Sequence, residues 1–188
     1  MNPALSHLNG SAAHDAAALL GPLVERSPWV GMAAVSERPF DSGEAVAEAL
    51  IETILSAGPA DRLALFRAHP ELAGEEAVSG RMTEASTDEQ SRLGLTSLAP
   101  DEARRLEALN AAYRARFGYP FIVALHRVPD LGTLFESFER RLGANPVEEH
   151  VTALAEIASV IRRRATKAFG GRNGTSHAPE TETKESIR

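Results

Sequence analysis

Apolar residues recur every three or four positions along most of this 188-residue chain, and that period belongs to helices rather than strands. Val46, Leu50, Thr53, Ile54 and Ala57 share one face after Asp41-Ser42. Leu106, Leu109, Tyr113 and Phe117 share another after Pro100-Asp101-Glu102, whose acidic residues suit the positive end of a helix dipole. Leu131, Leu134, Phe135, Phe138 and Leu142 mark a third. One run breaks the pattern: Tyr119-Pro120-Phe121-Ile122-Val123-Ala124-Leu125 has the composition of a buried strand. No second strand signal exists to pair with it. It is therefore read as buried extended chain running into a helical turn. The fold class is all-α, a single compact multi-helix domain.

Punctuation along the chain supports this division. Ser11 to Leu20 reads as a first helix. Ser27-Pro28-Trp29-Val30 reads as a helix start, with Ser27 as cap, Pro28 at the first helical position and Trp29 in the core. Gly58-Pro59, Gly94, Gly118 and Gly143 are stops, and Asn145-Pro146 caps a last helix running to about Phe169. Asp61 to Ala68 and Thr87 to Leu93 read as short helices, with a polar loop from Glu75 to Thr83 between them. From Gly170 the apolar period ends, so residues 1–169 are expected to form the domain and 170–188 a disordered C-terminal tail.

Composition narrows the function classes. Hydrophobic residues make up 43% of the chain, ordinary for a globular protein. A formal charge of −6 argues against general nucleic-acid binding, and means that an anionic substrate needs a local cation. With no cysteine, disulfides, thiolate metal sites and cysteine nucleophiles are excluded. Met1-Asn2-Pro3-Ala4 has no secretory pattern and no apolar run reaches membrane-spanning length, so the expected location is the cytoplasm.

Two short pieces carry the chemistry. In Ala68-His69-Pro70-Glu71-Leu72-Ala73-Gly74, the proline pushes His69 out of the α region, so His69 stands at a helix end. Ser86-Thr87-Asp88-Glu89-Gln90 gathers hydroxyl, carboxylate and amide groups within five residues. If the pieces meet across one pocket, His69 and Glu89 form an acid/base pair. Each also has a structural reading: His69 as a capping or surface residue, and Ser86-x-x-Glu89 as a capping box. In the last helix, Arg164 lies three, four and seven residues beyond Ile161, Val160 and Ile157. It should point inward, while Arg162 and Arg163 face solvent. An inward arginine wants a carboxylate, from within the protein or from a ligand.

Together these pieces resemble the 2-oxo-4-hydroxy-4-carboxy-5-ureidoimidazoline decarboxylase family. The resemblance is carried by His-Pro-Glu-Leu-Ala-Gly, Ser-x-x-Glu-Gln-x-x-x-Gly-Leu, Phe-Gly-Tyr-Pro-Phe and the late arginine, with Ser27-Pro28-Trp29-Val30 and Arg38-Pro39-Phe40 fitting the N-terminal part. It covers roughly Leu5 to Phe169. It implies a cofactor-free and metal-free homodimer that acts in urate degradation on a small anionic ureidoimidazoline and yields (S)-allantoin. It places the catalytic histidine at His69, with Glu89 beside it. Substrate binding would fall to Pro70, to Ser86, Thr87, Asp88, Glu89 and Gln90, and to Phe121, Ile122, Val123, Ala124 and Leu125, the last five largely through main chain. Arg164 would hold the substrate carboxylate. Ala165 departs from the family's larger apolar residue, and Asn145 is shifted by one. Two other readings remain: hydrolysis of a related cyclic ureide, with His69 activating water, and a non-enzymatic all-α interaction module.

Overall fold

The computed structural model describes residues 2–74 and 84–170, with Glu84 and Ala85 by backbone only. The polar loop expected at 75–83 and the tail from 171 onward lie outside the described residues. Among those described there are nine α-helices and no strand.

The longest helix is the last, Pro146–Phe169, here α9. Its buried residues Glu149, Ala153, Ile157, Ile161, Ala165 and Phe169 recur every four positions, forming one continuous ridge. Asn145 caps it, accepting from the Val147 and Glu148 amides at 2.9 and 3.0 Å. Against this ridge lies α4, Gly43–Ser56, which buries Val46, Ala47, Leu50 and Ile54. At the start of α4 the Gly43 N–H donates to the Gly170 carbonyl at 3.0 Å. A Cβ there would stand 2.5 Å from that oxygen and 2.8 Å from the Ala165 carbonyl oxygen. Ala165 itself is fully buried, so a small side chain fits beneath α4.

The N-terminal layer holds α1, Pro3–Gly10; α2, Ala13–Leu20; and α3, Pro28–Ala34. The sequence reading missed α1, although Asn2 caps it, accepting from the Ala4 amide at 2.9 Å, and Pro3 opens it. The helix is short and buries only Leu5 and Leu8. α3 begins where expected, but Ser27 makes no side-chain capping bond. α5, Pro59–Ala68, ends at His69, whose backbone is extended (φ −71°, ψ 138°) as the following proline requires.

α6 spans Glu84–Arg92. It starts before Ser86, so Ser86 is an interior helical residue and not the cap of a box with Glu89. α7, Pro100–Phe117, closes on Gly118, whose φ of 77° is the left-handed stop read from the sequence. α8 is Leu131–Leu142, capped by Asp130.

The apolar run 119–125 is extended, without a partner strand, and turns into a short 3₁₀ segment at Leu125–Arg127. Side chains replace the missing ladder. Arg141 on α8 donates to the Ile122 carbonyl at 2.8 Å. Glu156 on α9 accepts from the Ala124 amide at 2.7 Å. Arg92 on α6 donates to the carbonyls of Leu125 and Val128. Buried peptide groups need such partners, and charged ones are the stronger kind.

Candidate functional site

Where the turn at Leu23–Glu25, the end of α5, the polar face of α6, the extended strap and α9 converge, they form a cleft with a cavity volume of about 60 Å³. Its walls include His69, Pro70, Ser86, Glu89, Gln90, Phe121, Ile122, Val123, Leu125 and Arg164. The structure therefore brings together ten of the residues singled out from the sequence. Thr87 and Asp88 are exposed on α6 and do not line this cleft. Asp88 borders an outer cleft of about 390 Å³ that shares Leu23, Glu89 and Arg164 with the inner one. Ala124, in the strap, is buried and does not line the cleft; its amide is given to Glu156.

The end of α5 presents His69 to the cleft. Its Nδ1–H donates to the Leu65 carbonyl at 2.9 Å, which fixes the neutral tautomer and leaves Nε2 to accept. Burial pushes His69 below the usual histidine range. The Leu65 bond and the charges of Glu25 and Glu89 pull the other way, and Arg164 adds to the lowering. The balance leaves an imidazole that is neutral near pH 7.

α6 carries no apolar stripe because its inward face is polar. Ser86 and Gln90, four residues apart, are both buried. Gln90 accepts from the Ala73 amide at 2.8 Å and donates to the Glu71 carbonyl at 3.3 Å, tying α6 to the chain just after His69-Pro70. Ala73 sits at φ 48°, a left-handed turn that brings this amide round. The Ser86 hydroxyl donates to Glu25 Oε2 at 2.7 Å.

Arg164 points inward from α9 while Arg162 and Arg163 are exposed, as the helical spacing predicts. Its guanidinium makes a two-pronged contact with Glu89, Nε to Oε1 at 3.2 Å and Nη2 to Oε2 at 2.9 Å. It also reaches Glu25 Oε2 and the Pro22 carbonyl, each at 3.4 Å. Both expected partners of an inward arginine thus have a basis here: an internal carboxylate pair is present, and the guanidinium faces the cleft.

Glu25 is the site residue the sequence did not reveal. It is 4% exposed and bonded to Ser86 and Arg164. Val24-Glu25-Arg26 lies in a turn outside any helical period, with Arg26 at φ 44°. Its hydrogen-bond partners Ser86 and Arg164 are 61 and 139 positions away. Among the described residues, no group of three or more His, Asp or Glu side chains is placed to hold a metal ion. None of the described helices is long and apolar enough to cross a membrane.

The arrangement offers an imidazole nitrogen free to accept, an inward guanidinium and an apolar wall in one cleft, which suits proton transfer on a small anionic ligand. Comparisons with known proteins identify the family. The OHCU decarboxylase family profile matches residues 9–166. The 2-oxo-4-hydroxy-4-carboxy-5-ureidoimidazoline decarboxylase of Mus musculus is 37% identical over 164 residues, covering 87% of this chain and 90% of that protein. The protein of the same name from Halalkalicoccus jeotgali is 35% identical, with 83% and 86% covered. A crystal structure of (S)-allantoin synthase superposes with a TM-score of 0.68 at 24% identity, over 87% of this chain and 53% of that one, a likeness of fold. With a profile match across nearly all of the helical domain and relatives above 30% identity over most of their length, the chain belongs to the OHCU decarboxylase family.

Proposed function

We propose that this protein decarboxylates 2-oxo-4-hydroxy-4-carboxy-5-ureidoimidazoline to (S)-allantoin in urate degradation. The observation that carries the reading is the meeting of His69, Glu89 and Arg164 in one cleft, with burial favouring the neutral imidazole and the Leu65 bond fixing its orientation.

The substrate supplies its own electron sink. Its carboxylate sits on a carbon next to a ring C=N bond. When the bond to the carboxylate breaks, that electron pair forms a C=C bond. The C=N pair moves to nitrogen, which takes a proton. The enol so formed loses its hydroxyl proton and gains one at the neighbouring carbon, the new stereocentre. One proton is consumed for each carbon dioxide released.

His69 is the proton-transfer group: Nε2 takes the hydroxyl proton and returns one to a single face of the carbon. Arg164 holds the substrate carboxylate as a planar clamp, sharing its donors with Glu89 and Glu25. Glu89 fixes the guanidinium and, through its charge, moderates the lowering of His69. Pro70, Ser86 and Gln90 shape the polar wall. The strap from Phe121 to Leu125 lies over the ring with its main chain. Asp88, outside the inner cleft, serves its outer mouth, and Thr87 lines neither cleft. The enzyme is read as a cytoplasmic homodimer working without cofactor. Family resemblance supports this, and the exposed Val147 and Val151, one turn apart on α9, offer an apolar face for a second copy.

Product analysis tests the reaction. The unstable ureidoimidazoline, generated from urate in situ, should release carbon dioxide and allantoin faster with the protein than without it. A ring-opened acid without carbon dioxide would assign a hydrolase, and no acceleration would leave an interaction module.

A further inference from the structure

The peptide joining Ile122 to Val123 lies in the wall of the cleft. It is trans, so its C=O and N–H point in opposite directions. The Ile122 carbonyl accepts from Arg141 Nη1 at 2.8 Å. Arg141 does not line the cleft; it is buried behind the strap. Its Nε lies 3.1 Å from both oxygens of Glu149, its guanidinium carbon is 4.4 Å from the centre of the Phe121 ring, and Glu149 also accepts from the Tyr113 hydroxyl. Phe121 in turn stacks on Phe138 at 3.9 Å. The carbonyl is therefore held on the core side, and the Val123 N–H faces away from Arg141. Among the described residues, nothing accepts a hydrogen bond from that N–H. The next amide in the strap, Ala124 N–H, is already given to Glu156 at 2.7 Å.

We propose that Arg141 is a positioning residue of this site: by holding the Ile122 carbonyl, it aims the Val123 N–H into the cleft as the strap's main-chain donor to a ring or ureido oxygen of the ligand. A cation on the carbonyl also polarises the peptide, strengthening its N–H as a donor in an enclosed site. The arrangement costs no reorganisation when the ligand arrives, because Glu149 and the Phe121 ring fix the guanidinium beforehand. The inference deepens the decarboxylase reading and rests on it for the ligand's identity.

The test is a titration of ¹⁵N-labelled wild-type protein with (S)-allantoin, together with kinetics of Arg141→Lys. The Val123 amide signal should move with saturation, while Ala124, held by Glu156, stays nearly still. A Val123 signal that does not move overturns the proposal, whether or not other signals respond. Lysine keeps the charge for Glu149 but lacks the fork that reaches Ile122 as well. In a folded Arg141→Lys protein, kcat/KM should fall roughly tenfold or more, with weaker allantoin binding and little change in the His69 titration. Wild-type kinetics in that variant would also overturn it. If the variant fails to fold, the wild-type titration decides alone. A wild-type protein that makes no allantoin would instead defeat the decarboxylase reading, a separate result.

Discussion

His69 is held by one bond on one side and left open on the other. Its Nδ1–H is spent on Leu65, so in the proposed mechanism proton transfer runs through Nε2 alone. His69→Ala or His69→Asn should fold and yet lose acceleration on the order of a hundredfold or more, the usual contribution of a general acid/base. Steady-state kinetics on the folded variants checks this; turnover close to wild type would remove His69 from the mechanism. Arg164 is the second test at this scale. Lysine keeps its charge but not the two-pronged contact seen with Glu89. Arg164→Lys should lower kcat/KM by roughly ten- to a hundredfold, or about 1.4–2.7 kcal/mol. Arg162→Lys and Arg163→Lys, on exposed positions, should change it by less than about threefold. A loss of melting temperature at Arg164 without a kinetic defect would show that its bonds to Glu89 and Glu25 are purely structural. Arg164 was legible because helical arithmetic from Ile157, Val160 and Ile161 fixes its direction. Glu25 was not, because its burial comes entirely from residues distant in sequence.

The elements differ in how plainly the sequence announces them. α4, α7, α8 and α9 carry apolar stripes, caps and stops, and their bounds lie close to those read from the pattern. α6 is harder: its buried face is Ser86 and Gln90, so periodicity says nothing, and a capping-box signature suggested the wrong start. The strap's lack of a partner strand was readable, but its side-chain supports were not. Arg92, Arg141 and Glu156 sit on three different helices. The α4–α9 crossing makes a sharper prediction. Gly43→Ala places a methyl against two backbone oxygens that cannot rotate away. It should destabilise the protein by about 1–3 kcal/mol, read by chemical denaturation. An unchanged midpoint would mean the helices separate there at little cost. At the same crossing the Gly170 carbonyl accepts from the Gly43 N–H. Removing residues 171–188, whose single large apolar residue is Ile187, should leave melting temperature and turnover nearly unchanged. A marked loss of either would show that this segment supports the site.

At the scale of the whole molecule, three histidines share one tendency. His69, His126 and His150 are each lowered, foremost by burial. Each therefore binds its proton more readily in the unfolded chain, where the usual value is about 6.5. Their contribution to stability is present above that value and is lost as pH falls through the folded-state values. Melting temperature should fall as pH drops from about 7 toward 5, and His69→Asn should flatten that slope. A wild-type melting temperature that is constant or rises over this range would contradict the linkage. The all-α architecture follows from periodicity, but the cleft depends on five segments meeting, the turn with Glu25 among them, which only long-range packing decides.

In the proposed reaction these five segments steer one proton to one face of a carbon. The uncatalysed decay of the ureidoimidazoline yields racemic allantoin, so chirality reports the enzyme directly. The decisive measurement is circular dichroism of the product as the substrate is generated from urate in the presence of the protein. Wild type should give a growing signal of (S)-allantoin, and His69→Ala almost none. A racemic product with wild type, or an equally chiral one with His69→Ala, would contradict the proposed reaction.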